Sequence, residues 1–256
     1  MAGTRKQNWL ETWFRPGPGD EGVIPVLKHS AKGLMLPGRH ALFEFYDDFT
    51  SFTVGAAALS GWIKTEVGSG TGAAVQDEAF GVIKFTPGTT GSDEISYQWG
   101  TNTTPHEVFL PVAGKQMWLA SRFKFEDVDQ NNFYVGCNIS DTSPFASEPT
   151  DQFRFRSGAT ADALQFACGP SATTEATIAL GSLADNTYVR VLAWYDGNDT
   201  CWAFRYDDSG NLTNSGSVSV TGLLPDTEMA VAFGGDMVDT GGDDFFFDYV
   251  YVAQER

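Results

Sequence analysis

Short runs that alternate apolar and polar residues recur along most of this chain, and segments rich in Gly, Asp, Asn and Ser separate them. The runs are rich in Phe, Tyr, Val and Thr, which favour strands. No stretch after residue 40 shows the apolar periodicity of an amphipathic helix. Many strands without crossover helices indicate an all-β fold, an antiparallel β-sandwich or barrel. We predict strands around Phe43 to Phe49 and at 81–85, 94–99, 117–125, 133–139, 152–156, 163–167, 188–195, 200–206, 229–233 and 245–252.

The charge distribution divides the chain near residue 40. The first forty residues contain six Lys or Arg and three acids, a net charge of +3, whereas the other 216 contain ten and thirty, a net charge of −20, which together give −17. The same point ends a segment broken by four prolines and begins the first strand-like run. We therefore predict an extended basic N-terminal arm at 1–40 and one sandwich domain at 41–256.

The arm contains three apolar patches with no core of their own. The first, Trp9 to Phe14, places aromatic and aliphatic side chains at helical spacing until Pro16 ends it. Large aromatic residues and Arg are the residue types that dominate binding interfaces. The residues that we expect to contact a partner are Arg5, Lys6, Trp9, Leu10, Trp13, Phe14, Arg15, Val23, Ile24, Leu27, Leu34 and Leu36.

Composition also limits the classes of partner. An acidic body argues against nucleic acid, since phosphate contacts need clustered Lys and Arg. No apolar run approaches membrane-spanning length, and the N-terminus lacks the apolar stretch of a signal peptide. The cysteines, Cys137, Cys168 and Cys201, are widely spaced and odd in number, so we expect buried free thiols and assembly in a reducing compartment.

Two segments of the body resemble known proteins. A strand reading Val189-Arg-Val-Leu-Ala-Trp-Tyr-Asp-Gly197, followed by Asp207-Asp-Ser-Gly210, resembles the back-sheet hairpin of concanavalin A-like (laminin G-like) jelly rolls. The segment from Lys115-Gln-Met-Trp-Leu-Ala-Ser-Arg-Phe-Lys124 through Asp127-Val-Asp-Gln130 to Phe133-Tyr-Val-Gly136 is similar to virion structural proteins of tailed bacteriophages. Such proteins open on a motif like Tyr46-Asp-Asp-Phe49 and close on an aromatic strand like Phe247 to Val252.

Enzymatic chemistry finds little support in the residue pattern. Glucanases with this jelly roll carry closely spaced carboxylates on one strand, whereas Glu44 with Asp47 and Asp48 has the wrong spacing, and the adjacent Asp93 and Glu94 must point to opposite faces. No Ser lies in a nucleophile elbow, and no histidine lies in a metal-binding or triad pattern. We expect no catalytic residues and no metal ligands.

Two kinds of binding stay open for the sandwich. Calcium is one, because oxygen ligands crowd two predicted loops, but acidic loops in a chain of this charge are usually solvated turns. The first loop contains Asp236, Asp239, Asp243 and Asp244, and the second contains Asp196, Asn198 and Asp199. Sugar is the other, and it needs an exposed aromatic ring beside polar loop residues. Trp62, Trp99 and Tyr195 are the candidates, although most rings of a sandwich belong to its core.

The resemblance and the arm together predict a non-enzymatic viral structural protein. We expect a capsid decoration (cement) protein that binds the major capsid protein through its arm, lies on the capsid surface of the virion and is assembled in the host cytoplasm. A homo-oligomer, dimer or trimer, fits this role, with no nucleic acid, no membrane and no cofactor unless calcium binds. The alternative is a lectin-like carbohydrate- or receptor-binding protein of the phage head or tail.

Overall fold

The computed structural model describes residues 42–50, 58–59, 61–75, 81–101, 103–141, 144–146, 149–171 and 174–256. The predicted arm and all of its partner-contacting residues lie outside this part of the chain. The strands are β1 (Leu42–Asp47), β2 (Ala58–Leu59), β3 (Trp62–Val67), β4 (Thr71–Val75), β5 (Ile83–Thr86), β6 (Glu94–Thr101), β7 (Thr104–Pro105), β8 (Met117–Phe125), β9 (Asn131–Asn138), β10 (Gln152–Ser157), β11 (Ala163–Ser171), β12 (Thr174–Ser182), β13 (Val189–Tyr195), β14 (Thr200–Asp207), β15 (Leu212–Ser219), β16 (Ala230–Met237) and β17 (Phe245–Glu255).

The strands form two sheets. Sheet A has eight strands in the order β15-β14-β13-β8-β17-β5-β4, with β1 beside β17, and sheet B has nine in the order β12-β11-β10-β9-β16-β6-β3-β2, with β7 beside β6. The described neighbours pair antiparallel, and no helix occurs in the described part of the chain. The predicted all-β antiparallel sandwich is confirmed.

Phenylalanine rings from both sheets fill the space between them. Phe125 of sheet A lies 4.6 Å from Phe133 of sheet B, and Phe247 of sheet A lies 5.1 Å from Phe233 of sheet B, measured between ring centroids. All four rings are almost fully buried. Because successive side chains of a strand point to opposite faces, these inward rings fix which neighbouring side chains face outward.

Four strands of five or more residues were absent from the sequence prediction: β3, β4, β12 and β15. Three of them, β4, β12 and β15, lie at the ends of their sheets, and β3 has only the two-residue β2 beyond it. Edge strands need only one buried face, so their sequences carry small and polar residues. Their residue types therefore give a weaker strand signal than the aromatic central strands do.

Residues Glu44–Gln254 form one compact unit, and the other unit, Met1–Phe43 with Glu255–Arg256, is described only at its strand ends. In that second unit the Arg256 guanidinium lies 5.8 Å from the Phe43 ring centroid. The three cysteines are free and buried, in line with the prediction. Among the described residues, no helix has the length and apolarity to cross a membrane.

Candidate functional site

The outer face of sheet B carries a row of polar side chains where three strands meet. The inward position of Phe133 and Phe233 turns their neighbours outward, and the strand register aligns Glu94 of β6, Asp236 of β16 and Asn132 of β9 side by side. The Asn132 side-chain amide donates to Asp236 Oδ2 at 3.4 Å. This polar face, defined by Glu94, Gln98, Asn132, Tyr134, Arg154 and Asp236, is the candidate recognition site.

Two carboxylates are direct cross-strand neighbours in this face. Glu94 is only 4% exposed, and its partner in the register is Asp236. Burial, with a smaller contribution from the nearby charge of Glu94, raises the pKa of Asp236 to about 6 against the opposing hydrogen bond from Asn132. Asp236 Oδ1 is buried without a hydrogen-bond partner. The pair therefore offers a buried acceptor that a ligand donor would satisfy.

A glycine at which the neighbouring strand approaches closely lies in the middle of the polar face. Gly234 lies in the register between Ser96 and Tyr134, so these two side chains face each other across it. A Cβ atom at Gly234 would lie 2.7 Å from the Ile95 carbonyl oxygen and 3.1 Å from the Ser96 Cβ, which leaves no room for a larger residue. The Tyr134 hydroxyl lies beside the Ser96 side chain.

An arginine lies on the far side of the polar face. Arg154 is 2% exposed, its Nε donates to Gln152 Oε1 at 2.7 Å, and its guanidinium lies 4.8 Å from the Tyr134 ring centroid. The next outward residue, Arg156, forms an ion pair with Glu175 of β12 at 2.5 Å. Buried arginines held in this way present a fixed geometry to a polar ligand.

The connection from β9 to β10 folds back towards this face. The Phe145 ring lies 5.1 Å from the Tyr134 ring, and the Ile139 carbonyl accepts from the Gln98 side chain at 3.4 Å. The Ser140 backbone N–H donates to Glu107 at 2.8 Å, which fixes the start of the connection. This segment supplies an aromatic ring, that of Phe145, beside the polar face.

The outer face of sheet A has a different chemistry. Trp118, Trp194 and Trp202 are cross-strand partners in one row, with Ala120, Leu192 and Phe204 in the next. Trp118 is 3% exposed although it faces away from the core, and its Nε1–H has no hydrogen-bond partner, whereas Trp194 Nε1 donates to Gln116 at 3.0 Å. This aromatic face is the counterpart of the polar face.

Cations lie among the rings at the other end of the aromatic face. Arg122 and Arg190 are cross-strand partners, an arrangement that is unfavourable unless an anion bridges them. Asp208 does so, at 2.9 Å from Arg122 and 3.6 Å from Arg190. The Arg122 guanidinium also stacks 3.7 Å from the Tyr188 ring centroid. The charges of this face are therefore largely paired within the sheet.

The three rings that the sequence offered for sugar binding do not form a site. Trp62 is buried against Phe233 and donates to Asp47 at 2.7 Å. Tyr195 is fully buried, and its hydroxyl donates to the Asn198 carbonyl at 3.0 Å. Trp99 is half-buried and packs against the His106 ring at 4.8 Å. Two of the three candidates are thus core residues.

The acidic loops use their carboxylates to stabilise turns. Asp196 accepts from the backbone N–H groups of Asn198 and Thr200, and Asp239 accepts from that of Thr240. Among the described residues, no group of three or more Asp, Glu, His or Cys side chains is arranged to hold a metal ion.

The partner-contacting residues predicted in the arm, from Arg5 to Leu36, lie outside the described residues and stay a prediction. The polar face was missed in the sequence because its members are far apart along the chain. Glu94 and Asp236 become neighbours only through the pairing of β6 with β16. A polar residue between aromatic strand positions, as in Phe153-Arg-Phe155, is the available signal, since alternate side chains of a strand point to opposite faces.

Comparison with known proteins identifies the fold. No protein-family model matches the chain, and no curated protein matches it in sequence. Its structure is similar to peanut lectin in complex with a peptide, with a TM-score of 0.53, 14% identity and coverage of 83% of this chain and 97% of the lectin. A protein of unknown function from Shewanella oneidensis MR-1 has a TM-score of 0.58 and 14% identity, with 94% and 96% coverage.

A phage protein is also among the similar structures. The CBM2 module of the evolved Dit of Lactobacillus casei BL23 phage J-1 has a TM-score of 0.50 and 10% identity, and the match covers 83% of this chain and 96% of the module. Structural similarity at such low sequence identity establishes the fold alone. The chain folds as a lectin-like, concanavalin A-like jelly roll.

Proposed function

We propose that this chain is a non-enzymatic, lectin-like binding protein of a tailed-bacteriophage particle, and that the polar face of sheet B binds a carbohydrate. The observation that carries the proposal is the convergence of carboxylate, amide, phenol and guanidinium groups from four strands on the outer face of sheet B. Sugar hydroxyls are donors and acceptors at once, so mixed polar groups with a neighbouring ring suit them. Lectins and a phage CBM2 module share the fold.

Asp236 is the residue through which the polar face can be tested. The residue is partly exposed, and its buried Oδ1, which has no hydrogen-bond partner, is the acceptor that the proposal assigns to a sugar hydroxyl. Asp236→Asn keeps the shape and replaces a charged acceptor, so we expect about tenfold weaker binding to any glycan that the wild-type protein retains on an array. Asp208→Asn, the same change on the aromatic face, should leave glycan binding unchanged. Equal binding by wild type and Asp236→Asn would contradict the proposal.

The carboxylate pair favours one second candidate, glycan hydrolysis. Glycosidases use two nearby carboxyl groups, one of which keeps a raised pKa and donates a proton, and Asp236 beside Glu94 has these properties. The same glycans, incubated with the protein and assayed for new reducing ends, separate the two candidates. If the protein releases reducing ends and Asp236→Asn abolishes this release, the function is hydrolysis. If the protein binds the glycan without releasing reducing ends, the result supports the lectin-like function.

Attachment to the particle is the second part of the proposal. In it the N-terminal arm binds the major capsid protein and holds the sandwich on the capsid surface, with the aromatic residues contributing more than the charges. The full chain with Trp9→Ala and Trp13→Ala should then lose most of its co-sedimentation with capsids. Arg5→Gln with Lys6→Gln should lose less. Capsid occupancy that neither double variant changes would overturn this part alone.

A further inference from the structure

Two of the three buried cysteines lie on different sheets, and each is one strand away from the end of its sheet. Cys168 belongs to β11 of sheet B and Cys201 to β14 of sheet A. In the strand register Cys168 is the partner of Phe153 and Cys201 is the partner of Tyr195, and both partners are core residues. Cross-strand partners share a face of their sheet, so both thiols point into the space between the sheets.

Contacts farther along the same strands show which strands face each other. A Cβ atom at Gly216 of β15 would lie 2.5 Å from Ile178 Cγ2 of β12, so these residues touch across the core. Two residues further along β12, the Leu180 carbonyl accepts from Arg205 Nη1 of β14 at 3.2 Å. The end strands β12 and β15 therefore lie one over the other, and so do their neighbours β11 and β14.

This alignment places the two cysteines in one row of the core. In the register, the partners of the two touching residues are Ala203 on β14 and Phe166 on β11. The next inward positions on these strands, two residues away in the direction opposite to Arg205, are Cys201 and Cys168. The side chains meet there, and the Cys201 thiol donates a hydrogen bond to the Cys168 sulfur.

The electrostatics around the two thiols agree with this contact. Burial, together with Asp196 and both thiols, raises the pKa of the Tyr195 phenol to about 12, although Cys168 belongs to the opposite sheet. The hydrogen bond to Cys168, with burial, raises the pKa of Cys201. For Cys137, on β9 in the middle of sheet B, burial is the cause that raises the pKa.

We propose that Cys168 and Cys201 form a disulfide that joins the two sheets when the assembled protein leaves a reducing compartment and meets a peroxide. Thiols persist in a reducing cytoplasm, and disulfides form in oxidising surroundings. Cysteines can be joined only when their side chains point at each other across a short distance, and two inward thiols in hydrogen-bond contact meet this requirement. The proposal is independent of the ligand of the polar face.

Hydrogen peroxide is the oxidant that suits a buried pair, because it is small and uncharged. Cys168 attacks first, since Cys201 holds its proton in the hydrogen bond. The Cys168 sulfur takes one oxygen as the O–O bond breaks, which gives a sulfenic acid and one water. The Cys201 sulfur then attacks the sulfenic sulfur, the S–O bond breaks, and the hydroxyl leaves with the Cys201 proton as a second water. The cysteines lose two electrons in total, and the peroxide gains them.

The disulfide would link the sheets where their end strands meet. The chain between the two cysteines, which contains β12 and β13, becomes a closed loop, and this restricts the unfolded state more than the folded state. We therefore expect the oxidised protein to melt about 5–10 °C above the reduced protein. Dithiothreitol should reverse the shift, because it returns the disulfide to two thiols.

The experiment uses the full chain, folded and freed of reductant, and treats it with hydrogen peroxide. The protein is then unfolded in N-ethylmaleimide, which blocks the remaining thiols, and its peptides are mapped by mass spectrometry. We expect a peptide that joins Cys168 to Cys201 and is lighter by the two hydrogens lost, with Cys137 alkylated. Cys168 and Cys201 both alkylated after this treatment, or joined to Cys137 or to another chain, would overturn the proposal.

Two variants with the same chemical change separate the pair from the third thiol. Cys137→Ala should keep both the cross-linked peptide and the rise in melting temperature, whereas Cys201→Ala should lose both. If Cys201→Ala fails to fold, the peptide map of the wild type decides alone. A cross-link that forms in the wild type only after unfolding, or one that leaves the melting temperature unchanged, also contradicts a disulfide that ties the folded sheets together.

Discussion

The outer faces of the two sheets both bury side chains that point away from the core, one with aromatic and the other with polar residues. On sheet A, Trp118 is 3% exposed within rows of apolar and aromatic side chains, and on sheet B, Arg154 is 2% exposed within a set of polar groups. The hydrophobic effect, which is non-directional, stabilises the first face. The second face is stable only if each of its buried polar groups forms a hydrogen bond. The aromatic face therefore depends on close packing, and the polar face depends on complete hydrogen bonding.

The largest expected effect tests whether the aromatic face is packed like a core. Trp118→Ala should lower the free energy of unfolding by about 3–5 kcal/mol, because it removes a buried ring and leaves a cavity. Chemical denaturation measures this value. Trp202→Ala, in the same row but half-buried, should cost clearly less. A cost below about 1 kcal/mol for Trp118→Ala would show that this face behaves as ordinary surface.

The next effect tests the hydrogen-bonded character of the polar face. Arg154→Ala should cost about 2–4 kcal/mol, since it leaves the Gln152 acceptor without its donor in a buried position. Arg190→Ala, which removes a half-buried cation from the aromatic face, serves as the matched variant and should cost less. Thermal and urea unfolding of both variants measure the difference. Equal costs would remove the distinction between the faces.

A smaller effect concerns pH and belongs to the polar face alone. The pKa of Asp236 is raised to about 6 in the folded protein, so the folded state binds a proton more tightly than the unfolded state. Its contribution to stability is therefore complete below about pH 4 and is lost as the pH rises through about 6. Partial exposure limits the change to about 1 kcal/mol.

Asp236→Asn removes this titration. The variant should be more stable than the wild type at pH 7 and closer to it at pH 4, as measured by urea unfolding at both values. Asp208→Asn on the aromatic face is the control for a lost carboxylate. A difference between wild type and Asp236→Asn that stays constant from pH 4 to pH 7 would contradict the assigned pKa.

The smallest expected effect is on the ion pairs of the aromatic face. Asp208 is 50% exposed, so Asp208→Asn should cost about 0.2–1 kcal/mol despite its short contact with Arg122. The cost should shrink further in 1 M salt, because the Debye length there is about 3 Å and the attraction between the charges is screened. Urea unfolding at two salt concentrations measures both values. A large, salt-independent loss would show that bridging by Asp208 is essential to the arginine pair.

Central strands could be predicted from the sequence, and edge strands could not. Strand β8 is predicted with both of its ends, because Met117 to Ala120 are apolar and polar and aromatic residues alternate from Ser121 to Phe125. Strand β15 was missed, because Leu212 to Ser219 has small residues and a single exposed leucine at its start. A strand is recognised in a sequence by the apolar residues that it buries, and an edge strand buries few side chains.

The candidate site shows the same limit more sharply. The sequence suggests Trp62 and Tyr195 as sugar-binding rings, because aromatic residues are evident in a sequence whereas their burial is not. Both rings are buried in the core. Asp236 was noted only as part of an acidic loop, although it lies on a strand opposite Glu94. Neighbours in a sequence were visible, and neighbours across strands were not, because the register of pairing is a property of the whole sheet.

The sequence by itself determined that this chain folds as an antiparallel sandwich with aromatic inner faces and buried thiols. The alternation of apolar and polar residues, the turn residues and the composition are local properties, so they can be read from the sequence. Only the tertiary structure decided that Glu94, Asp236, Asn132 and Tyr134 meet on one surface, and that three tryptophans align on the other. These encounters depend on strand order and register, which arise when the two sheets pack as one core.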